Sequence, residues 1–234
     1  MYFNYYMMGI IVLPGILLAI YAQSKVNLTF HKYSNIGSHF GKTASEIARL
    51  FLDQAGLYHI QVVRTRGSLT DHYNHRKNII ALSEDVYDST SISAIGVACH
   101  EVGHALQYKS NYIPIKFRNV IIPVCNFANN LLWITIVLGV LFYYTNLGNI
   151  FLWIGISVFV LSVLLNLVTL PVEYNASRRA VILLSKSEIF NPEEISATKE
   201  VLNSAALTYV ASFIISVLNL LRLLIVLFGN RRND

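Results

Sequence analysis

The amino-acid sequence predicts a mainly α membrane protein, with about four transmembrane helices and a small α+β domain at the membrane surface. Of its 234 residues 54% are hydrophobic and only 13% charged, with a mean hydropathy of +0.50, too apolar for a soluble domain of this size. Four stretches, 3–22, 122–144, 150–170 and 207–228, approach the roughly 20 apolar residues that cross a bilayer core of about 30 Å as helix. The polar segment 23–118 mixes helical periodicity with short strand-like alternation.

Residues 3–22 resemble a secretory signal in hydropathy only. Residues 1–8 contain no Lys or Arg, and Tyr21-Ala22 is a poor cleavage context, so a retained membrane helix is expected. In the polar segment, 43–56 has helical spacing through Ala44, Ile47, Ala48, Phe51, Leu52 and Ala55 and stops at Gly56. Residues 59–64 alternate through Ile60 and Val62, and 78–83 form a second strand through Ile79, Ile80 and Leu82. The polar loop 65–77 separates them. Strand 78–83 reads equally as an edge that could pair with an extended peptide and as an ordinary hairpin strand. Residues 91–108 form one helix, in which Ala94, Gly96, Ala98, Gly103 and Ala105 permit close packing. The uncharged connection 145–149 makes 122–144 and 150–170 an antiparallel hairpin, with Trp133, Tyr143, Tyr144 and Trp153 as belt aromatics. Arg118 and Pro171 then lie on the same side of the membrane, and Pro171 suits the first turn of a new helix. The stretch 207–228 carries Asn219 and Arg222, so it spans against a partner, tilts, or lies partly in the interface. The expected organisation is 1–22, 23–118, 119–170, 171–206 and 207–234.

The net charge of +5 reflects topology. Most basic residues fall in 23–118 and 171–206, as the positive-inside rule expects of cytoplasmic segments, with both termini outside. Arg231 and Arg232 conflict with that orientation unless the last segment fails to cross. No nucleic-acid motif or basic-aromatic platform is present, so no nucleic-acid partner is expected. Cys99 and Cys125 lack CxxC partners and predict no disulfide framework. Cys99 points about 100° away from His100 on a helix and reads as a packing residue.

The chemistry resides in His100-Glu101-Val102-Gly103-His104. Residues four apart share a helix face, so His100 and His104 can hold one Zn²⁺, and Glu101 is placed to take a proton from water at the metal. The longer pattern HExxHxxGxxH is excluded, because Gln107 and Ser110 stand where Gly and His would be. The third ligand is then a carboxylate from a later helix. Glu173 is the strongest candidate, because the hairpin returns it to the side carrying the histidines. Glu188, Glu193, Glu194 and Glu200 read as solvated carboxylates but stay open as alternatives.

The segments HEVGHALQ, LTDHY, LPVEYNASRRA and VLNSAALTYVAS, in this order between Tyr33 and Leu224, resemble the bacterial membrane zinc metallopeptidases often called the YugP-like neutral zinc metallopeptidase family. The resemblance implies a zincin-like catalytic domain of the gluzincin type and one Zn²⁺ per chain. It also implies His100, His104 and Glu173 as ligands and Glu101 as base. A more distant likeness is to HtpX-type and CAAX prenyl proteases, which carry Asp four residues after the ligand Glu. Here that position is Ser177, expected to hydrogen-bond a ligand imidazole more weakly; Asn175 is the other expected supporting residue. The family loop reads DHYDPR where this chain has DHYNHR, which leaves His75 without an inherited role.

His72, Tyr73, Tyr209 and Arg178 are candidate donors to a tetrahedral oxyanion, with His72 and Tyr209 carried forward. The ligand segments adjoin predicted membrane helices, so the expected partners are the lipid bilayer and peptide or membrane-protein substrates. The expected location is the bacterial cell membrane, multi-pass. Two readings compete with a membrane-embedded zinc endopeptidase. A catalytically silent scaffold has no chemical need for Glu101, and a transporter needs intramembrane ionisable residues, of which only Arg222 qualifies.

Overall fold

The computed structural model describes residues 9–142 and 145–230. The elements are α1 (Leu13–Ser34), α2 (Ala44–Gln54), β1 (Gln61–Thr65), β2 (His72–Asn74), β3 (Ile79–Ser83), the single turn α3 (Glu84–Tyr87), α4 (Ile92–Lys109), α5 (Ile113–Leu141), α6 (Asn146–Lys186) and α7 (Pro192–Asn230). The chain is mostly helical with one small sheet. It divides into two compact units. One comprises the described residues up to Tyr21, Ile113–Leu170 and those from Thr208; the other comprises Ala22–Tyr112 and Pro171–Leu207.

In the second unit, α2 begins with a capping box. The Glu46 amide donates to Thr43 Oγ1 and the Thr43 amide to Glu46 Oε2, at 3.3 and 2.8 Å. The helix ends where Gly56 adopts φ +68°, which lets the Leu57 amide reach the Leu52 carbonyl at 2.8 Å. Its inner face buries Ile47, Ala48, Phe51 and Leu52 against Ile60, Ile80, Leu82, Ile95 and Val102. Full burial of each large side chain contributes roughly 1.5–3 kcal/mol.

The sheet order is β1-β3-β2, with β1 parallel and β2 antiparallel to β3. This corrects two expectations. The 78–83 strand is central, so it is no edge, and the loop 65–77 contains a strand of its own, His72–Asn74, which is an edge. Three residues are too few to display alternation. Asp71 fastens β2 to β3 by accepting from the Ser83 amide at 2.7 Å and the Ser83 hydroxyl at 2.9 Å. Burial nevertheless pushes its carboxyl above the usual range, outweighing those hydrogen bonds.

Ser91 caps α4 by accepting from the Ala94 amide at 3.3 Å. Asn111, at φ +53°, closes the other end, where the Tyr112 amide reaches the Gln107 carbonyl at 3.0 Å. The C-terminal part of α6 lies so close to α4 that a Cβ added to Gly103 would sit 2.4 Å from the Ala176 carbonyl oxygen.

In the first unit, α5 packs against the first part of α6. The Cys125 thiol lies 3.6 Å from the Leu161 carbonyl, and the Phe142 and Phe151 rings stack at 6.4 Å. Trp133 and Trp153 are exposed. Three helices, over Ile113–Gly139, Asn146–Lys186 and Pro192–Ile225, are long and apolar enough to cross a membrane among the described residues. The fourth expected span, 3–22, is only partly described, and the second half of α1, from Gln23 to Ser34, is polar. Met1–Met8, Tyr143, Tyr144, Arg231 and Arg232 lie outside the described residues. No new helix starts at Pro171, because α6 runs through it for 41 residues. Proline's fixed φ is helical, and it leaves one carbonyl without its helix donor. Similarly, α7 joins the expected 171–206 and 207–234 segments in one helix from Pro192.

Candidate metal centre

The helical repeat of α4 stacks His100 over His104, with ring centroids 4.7 Å apart and planes at 89°. Glu173 reaches both from α6. Its Oε2 lies 3.2 Å from His100 Nε2 and 3.4 Å from His104 Nε2. One ligand atom from each of the three residues falls within 4.8 Å of the others. Donors bound tetrahedrally to one zinc at about 2.0–2.2 Å lie roughly 3.3–3.6 Å from each other. The two measured separations fit that spacing, and a His₂Glu donor set suits zinc. The three side chains are 15%, 11% and 3% exposed, so any ion they held would be largely withdrawn from solvent.

Glu101 is buried at 7% exposure beside this cluster, and its charge acts on His104. Ser177, one turn beyond Glu173, lies with its Oγ 3.1 Å from His100 Nδ1. Its hydroxyl can accept the ring proton and leave Nε2 facing Glu173. Asn175 is placed one step behind the histidines, in hydrogen bonds to Gln107 and Arg179. It accepts from Gln107 Nε2 at 3.1 Å and from Arg179 Nε at 2.8 Å. Gln107 is the residue the sequence reading missed. It is fully buried, and its Oε1 lies 3.0 Å from His104 Nδ1. The available signal was its position three residues after His104, on the same side of α4.

The structure does not bring His72 to the cluster. Its Nδ1 lies 2.9 Å from the Thr70 carbonyl, and the ring is exposed. Residues alternate along a strand, and in β2 it is Tyr73 that meets α4, its ring 5.5 Å from that of Tyr108. Burial, reinforced by Tyr108, pushes the Tyr73 hydroxyl up to about 12. His75 stacks on Tyr108 at 3.9 Å. Arg178 is exposed on α6, and Tyr209 belongs to the other unit. Cys99 is fully buried in the core, where burial raises its thiol pKa.

Two histidines and a glutamate that could hold one metal ion thus converge, with a further buried glutamate one residue after the first histidine. The chain belongs to a family of neutral zinc metallopeptidases. The model described as "Putative neutral zinc metallopeptidase" matches residues 8–228. The chain is also 44% identical over 215 residues to "Putative membrane protease YugP" of Bacillus subtilis (strain 168), which covers 92% of this chain and 93% of that protein. No solved structure matches it.

The proton affinity of the site sets a pH dependence. Burial alone pushes the His104 imidazole down, but hydrogen bonding to Glu173 and the charges of Glu101 and Glu173 outweigh it, so the pKa is raised. A raised folded pKa means that a proton competes with the metal from a higher pH than at a free imidazole. Zinc affinity, read by chelator competition at each pH, is expected to fall from about pH 8 to about pH 6. An affinity that stays flat across this window would remove His104 from the ligand set.

Proposed function

We propose that the chain is a membrane-embedded, zinc-dependent endopeptidase of the gluzincin type, acting on membrane-associated proteins or hydrophobic peptides. The convergence of His100, His104 and Glu173, with Glu101 beside them, carries this reading. Zinc held by the three ligands would supply Lewis acidity, lowering the pKa of water towards about 7 and polarising the scissile carbonyl. Glu101 would take the water's proton on its carboxylate and pass it to the departing amine. β2, as a sheet edge against α4, replaces the 78–83 strand as the place where an extended substrate backbone would pair. The three long apolar helices, with 3–22 as a fourth span, would hold the chain in the bacterial cell membrane with the metal centre facing the cytoplasm.

The test is metal content by mass spectrometry on detergent-purified protein, wild type beside Glu173→Ala, together with cleavage of a membrane-anchored reporter in liposomes. One zinc per chain is expected in the wild type, with cleavage abolished by a chelator and restored by zinc. Loss of a ligand should weaken zinc binding by more than about 100-fold, since even supporting residues are worth 10–100-fold. Full zinc content in Glu173→Ala would remove Glu173 from the site. Wild-type protein that takes up no zinc would overturn the peptidase reading.

A further inference from the structure

We propose that Gln107 is a positioning residue that fixes the tautomer of His104, as the last link of a hydrogen-bond relay whose direction is set by Arg179. The inference rests on the zinc-peptidase reading and concerns how its ligand set is held. Guanidinium groups only donate hydrogen bonds. The Arg179 Nε–H lies 2.8 Å from the Asn175 side chain, which must therefore present its oxygen. That oxygen also faces the Gln107 amide at 3.1 Å, so Gln107 presents its nitrogen there. The second hydrogen on the same nitrogen goes to the Val172 carbonyl at 2.7 Å, a backbone group that can only accept. Both amide hydrogens are committed, and Gln107 turns its oxygen towards His104 Nδ1, 3.0 Å away. Nδ1 must then carry the ring proton, and the Nε2 lone pair is left facing Glu173 and the metal position.

Every link is held in place. Gln107 is fully inaccessible to solvent. Arg179 is anchored by two further hydrogen bonds, to the Leu106 carbonyl at 3.3 Å and to Ser110 Oγ at 2.9 Å. The relay also ties two ligands together. Val172, which accepts from Gln107, is the residue immediately before Glu173. One side chain thus orients His104 from α4 and grips the backbone that delivers Glu173 from α6. His100 receives a different treatment, since the hydroxyl of Ser177 can donate or accept and sets no direction.

Three variants of the full-length protein in detergent test this: Gln107→Leu, Asn175→Leu and Asn175→Asp. Zinc affinity is read by chelator competition, and histidine-selective ¹⁵N NMR of the zinc-loaded protein follows the His104 Nδ1–H. Gln107→Leu keeps the volume but removes the acceptor, and is expected to weaken zinc binding about 10–100-fold and to expose the ring proton to fast exchange. Asn175→Asp still offers an oxygen to both Arg179 and Gln107, and is expected to stay within about threefold of wild type while Asn175→Leu falls about tenfold. Wild-type zinc affinity in Gln107→Leu would overturn the relay. So would an Asn175→Asp variant as weak as Asn175→Leu, a comparison that decides the matter even if Gln107→Leu fails to fold. Wild-type protein without zinc affinity would instead overturn the zinc-peptidase reading and this inference with it.

Discussion

Replacing Gly103 with alanine is expected to empty the metal centre without altering any ligand. The added Cβ would lie 2.4 Å from the Ala176 carbonyl oxygen, 3.1 Å from its carbon and 3.2 Å from Cα. These are backbone atoms of α6, so no rotamer change relieves the clash. The helices must separate by roughly 1 Å to restore van der Waals distance. Ala176 lies three residues after Glu173 and directly before Ser177, so the same displacement carries a ligand and its neighbour away from His100 and His104. Metal sites tolerate only about ±0.2 Å in ligand distance. Zinc affinity should therefore fall by at least about 100-fold, as far as when a ligand is deleted. Stability should drop by about 1–3 kcal/mol from overpacking. Gly155→Ala is the control, because nothing lies within 4 Å of a Cβ added there. Wild-type zinc affinity in Gly103→Ala, by chelator competition in detergent, would contradict the close approach of the two helices.

Glu101→Gln should separate chemistry from metal binding. The amide matches the carboxylate in size, and Glu101 is not among the three ligands. Zinc content should be unchanged. An amide cannot accept the water's proton, so turnover should fall by about 10²–10⁴-fold, the usual worth of a positioned general base. The cleavage rate of a membrane-anchored reporter reads the effect, with zinc stoichiometry measured on the same preparation. Undiminished cleavage by this variant would take the base role from Glu101, and loss of zinc would make it a ligand.

Parts of this centre are legible in local sequence because they obey one helical repeat. His100, Glu101 and His104 lie within five residues, and the small residues of α4, Gly103 among them, announce a close neighbour. The partner carboxylate could be narrowed to Glu173 only by topology, with four other glutamates left open, because no periodicity links residues 73 apart. Strand order was not legible at all. Whether β3 lies at an edge or in the centre depends on where β1 pairs, which its own alternation does not record. β2 escaped notice because three residues are shorter than the pattern that identifies strands. In the sequence Gln107 is only a mismatch to another ligand spacing. Its role depends on Val172 and Asn175, which approach it from a different helix. Pro171 suggested a boundary that the continuous helix ignores, since a proline removes a single helix hydrogen bond.

The order of the ligands along the chain also governs when the centre can come into being. His100 and His104 emerge early in synthesis, and Glu173 only after α5 and most of α6 have followed. A nascent chain halted within that hairpin holds two imidazoles and no third donor, too few for a closed ligand set. Completion of the three-residue cluster thus waits on synthesis of the whole intervening hairpin, and an unfinished chain lacks Glu173.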